Sequence, residues 1–393
     1  MEIWSDKRKK KQISMTYIVF LINGMLALSI GSLMPFIRDV RGLDYELCGL
    51  LVSLHSVGNF LSSFFAGTFA VSMGRKRCIL MFNAFFVISF LLIIFGNNNV
   101  CLILAFLMTG LARGASSNFN NATINNLAPG VVGISNGLHA MFSVGAFLFP
   151  ILLTLLTNAN TAWWIYACFF MLAMGVLSWA LYFAMPVDEF AAKKEKGGSM
   201  KFFGEPMFWL CTATLFFYLC VEQGVIGWMV TYFKDTGLLS PAFSQISASV
   251  QWIMILAGRL TVVYLSTRVK KGTLLRVMGV GLVIFFLILI TSKTPALIAI
   301  GIMGFGYSMA GIYPTTVSFA GHINQKYPLA WSFMLTMASM GSIVMPSIIG
   351  KIAETAGITM GMCSIVVVVV IDMAFIIALT RYMRCHGLEE PIK

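Results

Sequence analysis

An all-α integral membrane protein is the fold class this sequence predicts, on three observations. Apolar residues make up 59% of the 393 and charged residues only 11%, against about 25% charge in soluble domains. Mean hydropathy is +0.87. About twelve segments reach the roughly 20 mostly apolar residues that a bilayer crossing needs. They lie near 15–37, 47–71, 78–96, 101–125, 134–157, 162–185, 206–233, 243–267, 273–291, 295–320, 329–350 and 358–381. Together they use nearly the whole chain and leave no room for a sizeable soluble domain. Only helices and closed barrels satisfy their backbone in lipid, and these runs are too long and unbroken for barrel strands.

The first span is expected to be retained. Lys7-Arg8-Lys9-Lys10-Lys11 precede an apolar run too long for a signal-peptide core, and no small-residue cleavage site follows. The eight cysteines are scattered without a Cys-x-x-Cys pair and read as small apolar fillers. A net charge of +12 invites a nucleic-acid reading, but the distribution argues against one. Lys7–Lys11, Arg75–Arg77, the lysines of 193–201, Arg268–Arg276, Lys326, Arg381, Arg384 and Lys393 fall at the ends or in alternate loops. The remaining loops hold only Arg38, Arg41, Lys234, Lys293 and Lys351. This is positive-inside asymmetry, and it puts both termini on the cytoplasmic side of the cell membrane.

The chain reads as two similar halves. Residues 186–205 form the polar linker between an N-terminal half, 1–185, and a C-terminal half, 206–393. Ser143–Pro150 (SVGAFLFP) matches Ser339–Pro346 (SMGSIVMP), both keeping Ser-x-Gly-x-x-x-x-Pro. Gly110 (GLARG) corresponds to Gly304 (GFGYS), and Arg75-Lys76-Arg77 to Lys270-Lys271. The offset is about 195 residues throughout, the plan of transporters whose site lies between parallel six-helix repeats.

These features resemble the major facilitator superfamily. Its loop motif between spans 2 and 3, Gly-x-x-x-Asp-Arg-x-Gly-Arg-Arg/Lys, is met by GTFAVSMGRKR at Gly67, Gly74, Arg75 and Lys76. Val71 and Ser72 stand where its acid and first base belong, which weakens the charge relay expected to latch the outward-facing state. The basic end is expected to anchor at a helix C-terminus, and Arg259 (LAGRL) reads as a further latch residue. Four stretches are similar to the fucose–galactose–glucose permease group: 136–150, 221–233, 304–315 and 340–354. The resemblance implies a major facilitator fold of twelve helices in two pseudo-symmetric six-helix halves.

Gly110, Gly114, Ser117, Asn118, Asn121 and Asn125 recur at steps of three and four, so they share one face of the fourth span. Polar residues at membrane depth face a cavity or another helix. Two readings stay open: interhelical hydrogen bonding with glycine-mediated approach, or contact with solute hydroxyls. Asn120 and Asn126 are expected on the other side or at the end. Four charges fall inside spans, Arg113, Glu222, Arg259 and Asp372, each costly unless paired or wet. Glu222 is the first candidate for a coupling proton, with His139 second; a structural salt bridge is the alternative for Glu222. Arg113 suits an anionic solute, and Asp372 a structural role. His55 and Asn59 share a face of the second span and read as packing. The sugar–proton members of the group carry acids on the first and fourth spans, and this chain has neither, so coupling does not carry over by resemblance.

Further solute-contact candidates are Asn23, Gln223, Trp228, Gln251, Tyr307 and Tyr313, the aromatics by stacking on a sugar's apolar face. Tyr307 is placed where Arg113 sits in the first half. No Walker loop, metal cluster or catalytic triad appears, so neither cofactor nor enzyme activity is expected. The expectation is a monomeric carrier of a small polar solute, a sugar first, working by alternating access with proton or sodium coupling open. An organic-anion carrier or exporter and a non-transporting membrane scaffold are the rivals.

Overall fold

The computed structural model describes residues 6–128, 132–187, 200–265 and 268–387. Most of the expected linker, 188–199, lies outside them. Thirteen α-helices follow in order: α1 Lys7–Arg41, α2 Tyr45–Met73, α3 Arg75–Phe95, α4 Asn99–Leu127, α5 Val132–Ala159, α6 Trp164–Ala184, α7 Pro206–Thr236, α8 Pro241–Leu265, α9 Lys271–Thr291, α10 Pro295–Met309, α11 Ile312–Lys326, α12 Pro328–Ala356 and α13 Ile358–Cys385. No strand occurs among the described residues. Eleven spans among them are long and apolar enough to cross a membrane. The 29-residue α2 coincides with the expected second span. The tenth is broken at Ala310–Gly311 into α10 and α11.

Helix ends follow the local chemistry. Asn98 caps α4 by accepting from the Cys101 amide at 2.9 Å. Prolines open α7, α10 and α12, where a missing N–H costs nothing. Gly74 (φ 87°) makes the tight turn between α2 and α3, in a backbone region that side chains disfavour.

The chain divides into two compact units. The first holds residues 1–41 and 51–193, the second 42–50 and 194–393. The opening turn of α2 therefore belongs with the second unit, a detail the sequence did not suggest. There the Tyr45 amide donates to Glu354 at 2.8 Å and its hydroxyl to Asp235 at 2.7 Å.

In the first unit α1 packs chiefly on α5, and α3 on α4 and α6. In the second, α7 packs on α12 and α13, and α9 on α10 and α13. Glycines set the closest approaches. A Cβ at Gly145 would meet the Leu21 carbonyl; one at Gly341 would meet the Phe216 carbonyl. Likewise Gly110 lies on the His55 carbonyl of α2, and Gly306 on the Gln251 carbonyl of α8, 2.6 Å from its ideal Cβ. Lipid offers no hydrophobic drive between helices, so such backbone contact and buried hydrogen bonds hold them. Polar pins in the first unit include Asn83 to Ser178 (3.1 Å) and Asn120 to Tyr182 (2.8 Å).

These contacts also fix the repeat register. Gly110 and Gly306, His55 and Gln251, and Gly145 and Gly341 are each 196 positions apart. Arg113 then corresponds to Met309, not to Tyr307. The alignment of GLARG with GFGYS slips by two residues because glycines recur at Gly304 and Gly306.

Gly110→Val and Gly306→Val should each lower stability by about 1–3 kcal/mol through overpacking. Gly204→Ala, with open space around it, should be neutral. Melting temperatures in detergent check this.

At the entry to α7, Glu205 takes a 2.8 Å ion pair from Lys326 and a 3.4 Å bond from the Tyr327 hydroxyl. The Lys326 hydrogen bond holds the Glu205 carboxyl below its ordinary range. A depressed folded value stabilises above the unfolded value, and the effect is lost as pH falls through the folded one. Both groups are well exposed, so the effect is small. Melting curves of wild type and Lys326→Met should differ slightly near neutrality and converge below about pH 4.

Candidate functional site

The polar face of the fourth span is real, and the structure divides its work. Its glycine end, Gly110 and Gly114, lies against the α2 backbone at His55 and Asn59. Next, the Asn118 amide donates to the Ser63 carbonyl of α2 at 2.9 Å, and the Asn121 amide to its own helix at Ser117 (2.9 Å). Asn118 and Asn125 are exposed, and Asn121 is half-buried. Asn120 is fully buried and bonded to Ser116 and Tyr182, on the other side as expected.

Arg113 is half-buried beside this face. Its Nη1 lies 3.4 Å from Nε2 of His55, a side chain only 3% exposed. The other ring nitrogen, Nδ1, lies 2.8 Å from Oγ1 of Thr109. The sequence treats His55 as packing; its partners one helix away were not legible without the α2–α4 register.

His139 is exposed on α5, with its ring edge-on to Phe20 of α1 at 5.8 Å. Asn23 on α1 is 3% exposed, and neither of its amide atoms has a partner among the described residues. It lies one turn from Val19, which packs with Phe119 and Tyr182 in the interior of the first unit.

In the second unit, Glu222 sits halfway along α7, half-buried, and accepts from the Tyr218 hydroxyl at 3.1 Å. The Tyr218 ring lies 6.0 Å from that of Tyr313 on α11. Arg259 of α8 is within electrostatic reach of Tyr218. Glu222, Tyr218, Tyr313 and Arg259 thus form one constellation from three helices. Tyr218 is its unanticipated member: it stands one turn before Glu222, a spacing the sequence displays. Gln223 and Tyr307 are half-buried. Gln251 is buried, its amide against the Met309 sulfur at 3.6 Å. Trp228 is fully buried, donating to the Pro346 carbonyl at 3.1 Å and packing on Tyr45.

The motif at the α2–α3 turn anchors as the helix-terminus argument expects. Lys76 donates to the carbonyl of Met185, which ends α6, at 3.1 Å. Arg75 reaches Thr123 at 3.2 Å and lies over the Phe119 ring at 5.0 Å. Gly67 lies within α2.

Asp372 is fully buried on α13, and neither carboxyl oxygen has a partner among the described residues. Its titratable neighbour is Cys220 of α7. An ionised carboxylate there would cost several kcal/mol. Asp372→Asn, which keeps the volume and removes the charge, should hold or raise the melting temperature; a fall of several degrees would show that the charge is needed.

Paired six-helix units with charged side chains inside their spans define a membrane carrier of the two-repeat type. Residues 16–346 match the Major Facilitator Superfamily, and the chain belongs to that family of transporters. Protein TsgA of Escherichia coli O6:K15:H31 (strain 536 / UPEC) is 23% identical over 361 residues, which are 88% of this chain and 89% of that protein. A TsgA homolog of Yersinia enterocolitica is 20% identical over 380 residues, 95% of this chain and 96% of its own. Among solved structures, a D-xylose-proton symporter superposes with a TM-score of 0.78 at 14% identity, covering 95% of this chain and 97% of its own. A mutant form of the nucleoside transporter NupG superposes at 0.76 and 14% identity, covering 95% and 99%. At such identities these structures speak for the fold alone.

Proposed function

We propose that this protein carries a small neutral polyhydroxylated solute, a sugar in class, across the cell membrane by alternating access, coupled to protons through Glu222. The observation that carries the reading is the Glu222 constellation. A half-buried carboxylate accepts hydrogen bonds from hydroxyls, as it already does from Tyr218. The tyrosine rings beside it offer π-faces to the apolar face of a pyranose. The exposed amides of Asn118 and Asn125 both donate and accept, which suits vicinal hydroxyls. The similarity to the fucose–galactose–glucose permease group supports the same class, as does the sugar–proton symporter among the fold relatives. The alternation of basic loops supports cytoplasmic termini. The carrier works as a single chain, with no cofactor and no nucleic-acid partner.

One observation favours a second reading. Arg113, half-buried on α4, suits a carboxylate or phosphate, which would make the solute a small organic anion.

Solute-jump currents on proteoliposomes separate the two. A current with a neutral sugar that survives sodium removal is the expected result. Silence with sugars and a response to a small carboxylate would overturn it and move the site to Arg113. In Glu222→Gln, pH-driven uptake should fall to background while solute exchange persists. Loss of folded protein instead would assign Glu222 to structure.

A further inference from the structure

The protons around His55 can be counted. Thr109 has one hydroxyl proton, and its Oγ1 lies 2.6 Å from the Phe106 carbonyl, an acceptor with nothing to donate. That proton is therefore spent. At 2.8 Å from His55 Nδ1, the Thr109 oxygen can only accept, so the imidazole proton sits on Nδ1. Nε2 is left with its lone pair, and it faces Nη1 of Arg113, a group that can only donate. The relay runs in one direction: Arg113 to His55 to Thr109 to the Phe106 carbonyl.

It is also closed to a second proton. A proton on Nε2 would leave two donors facing each other and two positive charges on adjacent groups. α4 places Thr109 and Arg113 at the ring; on α2 itself the nearest polar side chain along the same face is Asn59, a turn away. Among the described residues Arg113 is the charged group that acts on His55. At 3% exposure no solvent shell softens the conflict.

The repeat provides an internal comparison. At the 196-residue offset, His55, Arg113 and Thr109 become Gln251, Met309 and Phe305. Gln251 still reaches Met309, by amide to sulfur at 3.6 Å. The second unit thus keeps the contact between the same two positions with groups that cannot titrate. The first unit alone builds it from an imidazole and a guanidinium.

We infer that His55 is the positioning residue for Arg113: a neutral ring with its proton on Nδ1 orients the guanidinium through Nε2. The consequence for transport rests on the carrier reading above; the relay itself does not.

Nitrogen-15 NMR of protein labelled at histidine and arginine, in lipid nanodiscs without solute, tests it. The His55 signal is assigned by its loss in His55→Gln, and that of Arg113 by Arg113→Gln. Expected at about pH 8 is a ring protonated at Nδ1 with a bare Nε2, whose shift changes in Arg113→Gln. In His55→Gln the Arg113 side-chain signal should shift, because an amide replaces the ring nitrogen that orients it. An Nε2-protonated ring at about pH 8, an Nε2 shift unchanged in Arg113→Gln, or an Arg113 signal unchanged in His55→Gln overturns the inference. Should His55→Gln fold poorly, the wild-type tautomer and its response to Arg113→Gln decide alone. Failure of sugar currents with these signals intact would sink the solute reading and spare this one.

Discussion

Backbone-to-backbone approach at glycine is the constraint on which the rest of this structure depends. Where α4 meets α2 and α10 meets α8, no side chain separates the helices, and a carbonyl of one lies on the Cα of the other. In lipid this contact substitutes for the hydrophobic drive that packs soluble helices. It also sets register, because a glycine tolerates such proximity only at its own position along the axis. Once Gly110 is seated on the His55 carbonyl, Arg113, three residues on, is brought to the His55 ring. The polar chemistry of the first unit is thus a by-product of where the chain lacks a Cβ.

Satisfying polar groups internally is the second demand, and both units meet it in part. In the first, amides and hydroxyls pair across helices: Asn83 with Ser178, Asn120 with Ser116 and Tyr182. Both units also keep buried polar atoms without a partner among the described residues: in the first, both amide atoms of Asn23 and the side-chain oxygens of Asn83 and Asn120. In the second, Thr231, Thr316 and both oxygens of Asp372 have no partner among the described residues. The charged constellation of α7, α8 and α11 sits in the second unit, and the neutral asparagine–serine–tyrosine network braces the first.

Composition and apolar run length were enough to read the class of fold and the order of helices, since a bilayer permits few alternatives. The polar face of α4 was legible from its period, and so were the opposite placement of Asn120 and the anchoring of Lys76 at a helix end. Less legible was anything needing a register between helices. His55 looked like filler because Thr109 and Arg113 are more than fifty positions away. Tyr307 was matched to Arg113 because a repeat alignment resting on glycines slides when glycines are two apart. Trp228 resembled a stacking platform, yet it is fully buried and its indole N–H is spent on the Pro346 carbonyl of α12. The break in the tenth span has its signal in Pro314, which offers no N–H to the Ala310 carbonyl four residues back, but apolar run length alone hides it.

That break has a mechanical meaning. Tyr307 precedes it and Tyr313 follows it, on helices of fifteen residues each. An unbroken span would act as one stiff lever, and tilting either end would carry both tyrosines through the same arc. Two short rods joined at a buttressed elbow, with Gly311 wedged against Val262 and Met278, bend instead of tilting. The ring that meets Tyr218 is then free of the strain borne by the half that holds α8. The two tyrosines therefore belong to separate helical pieces of one span.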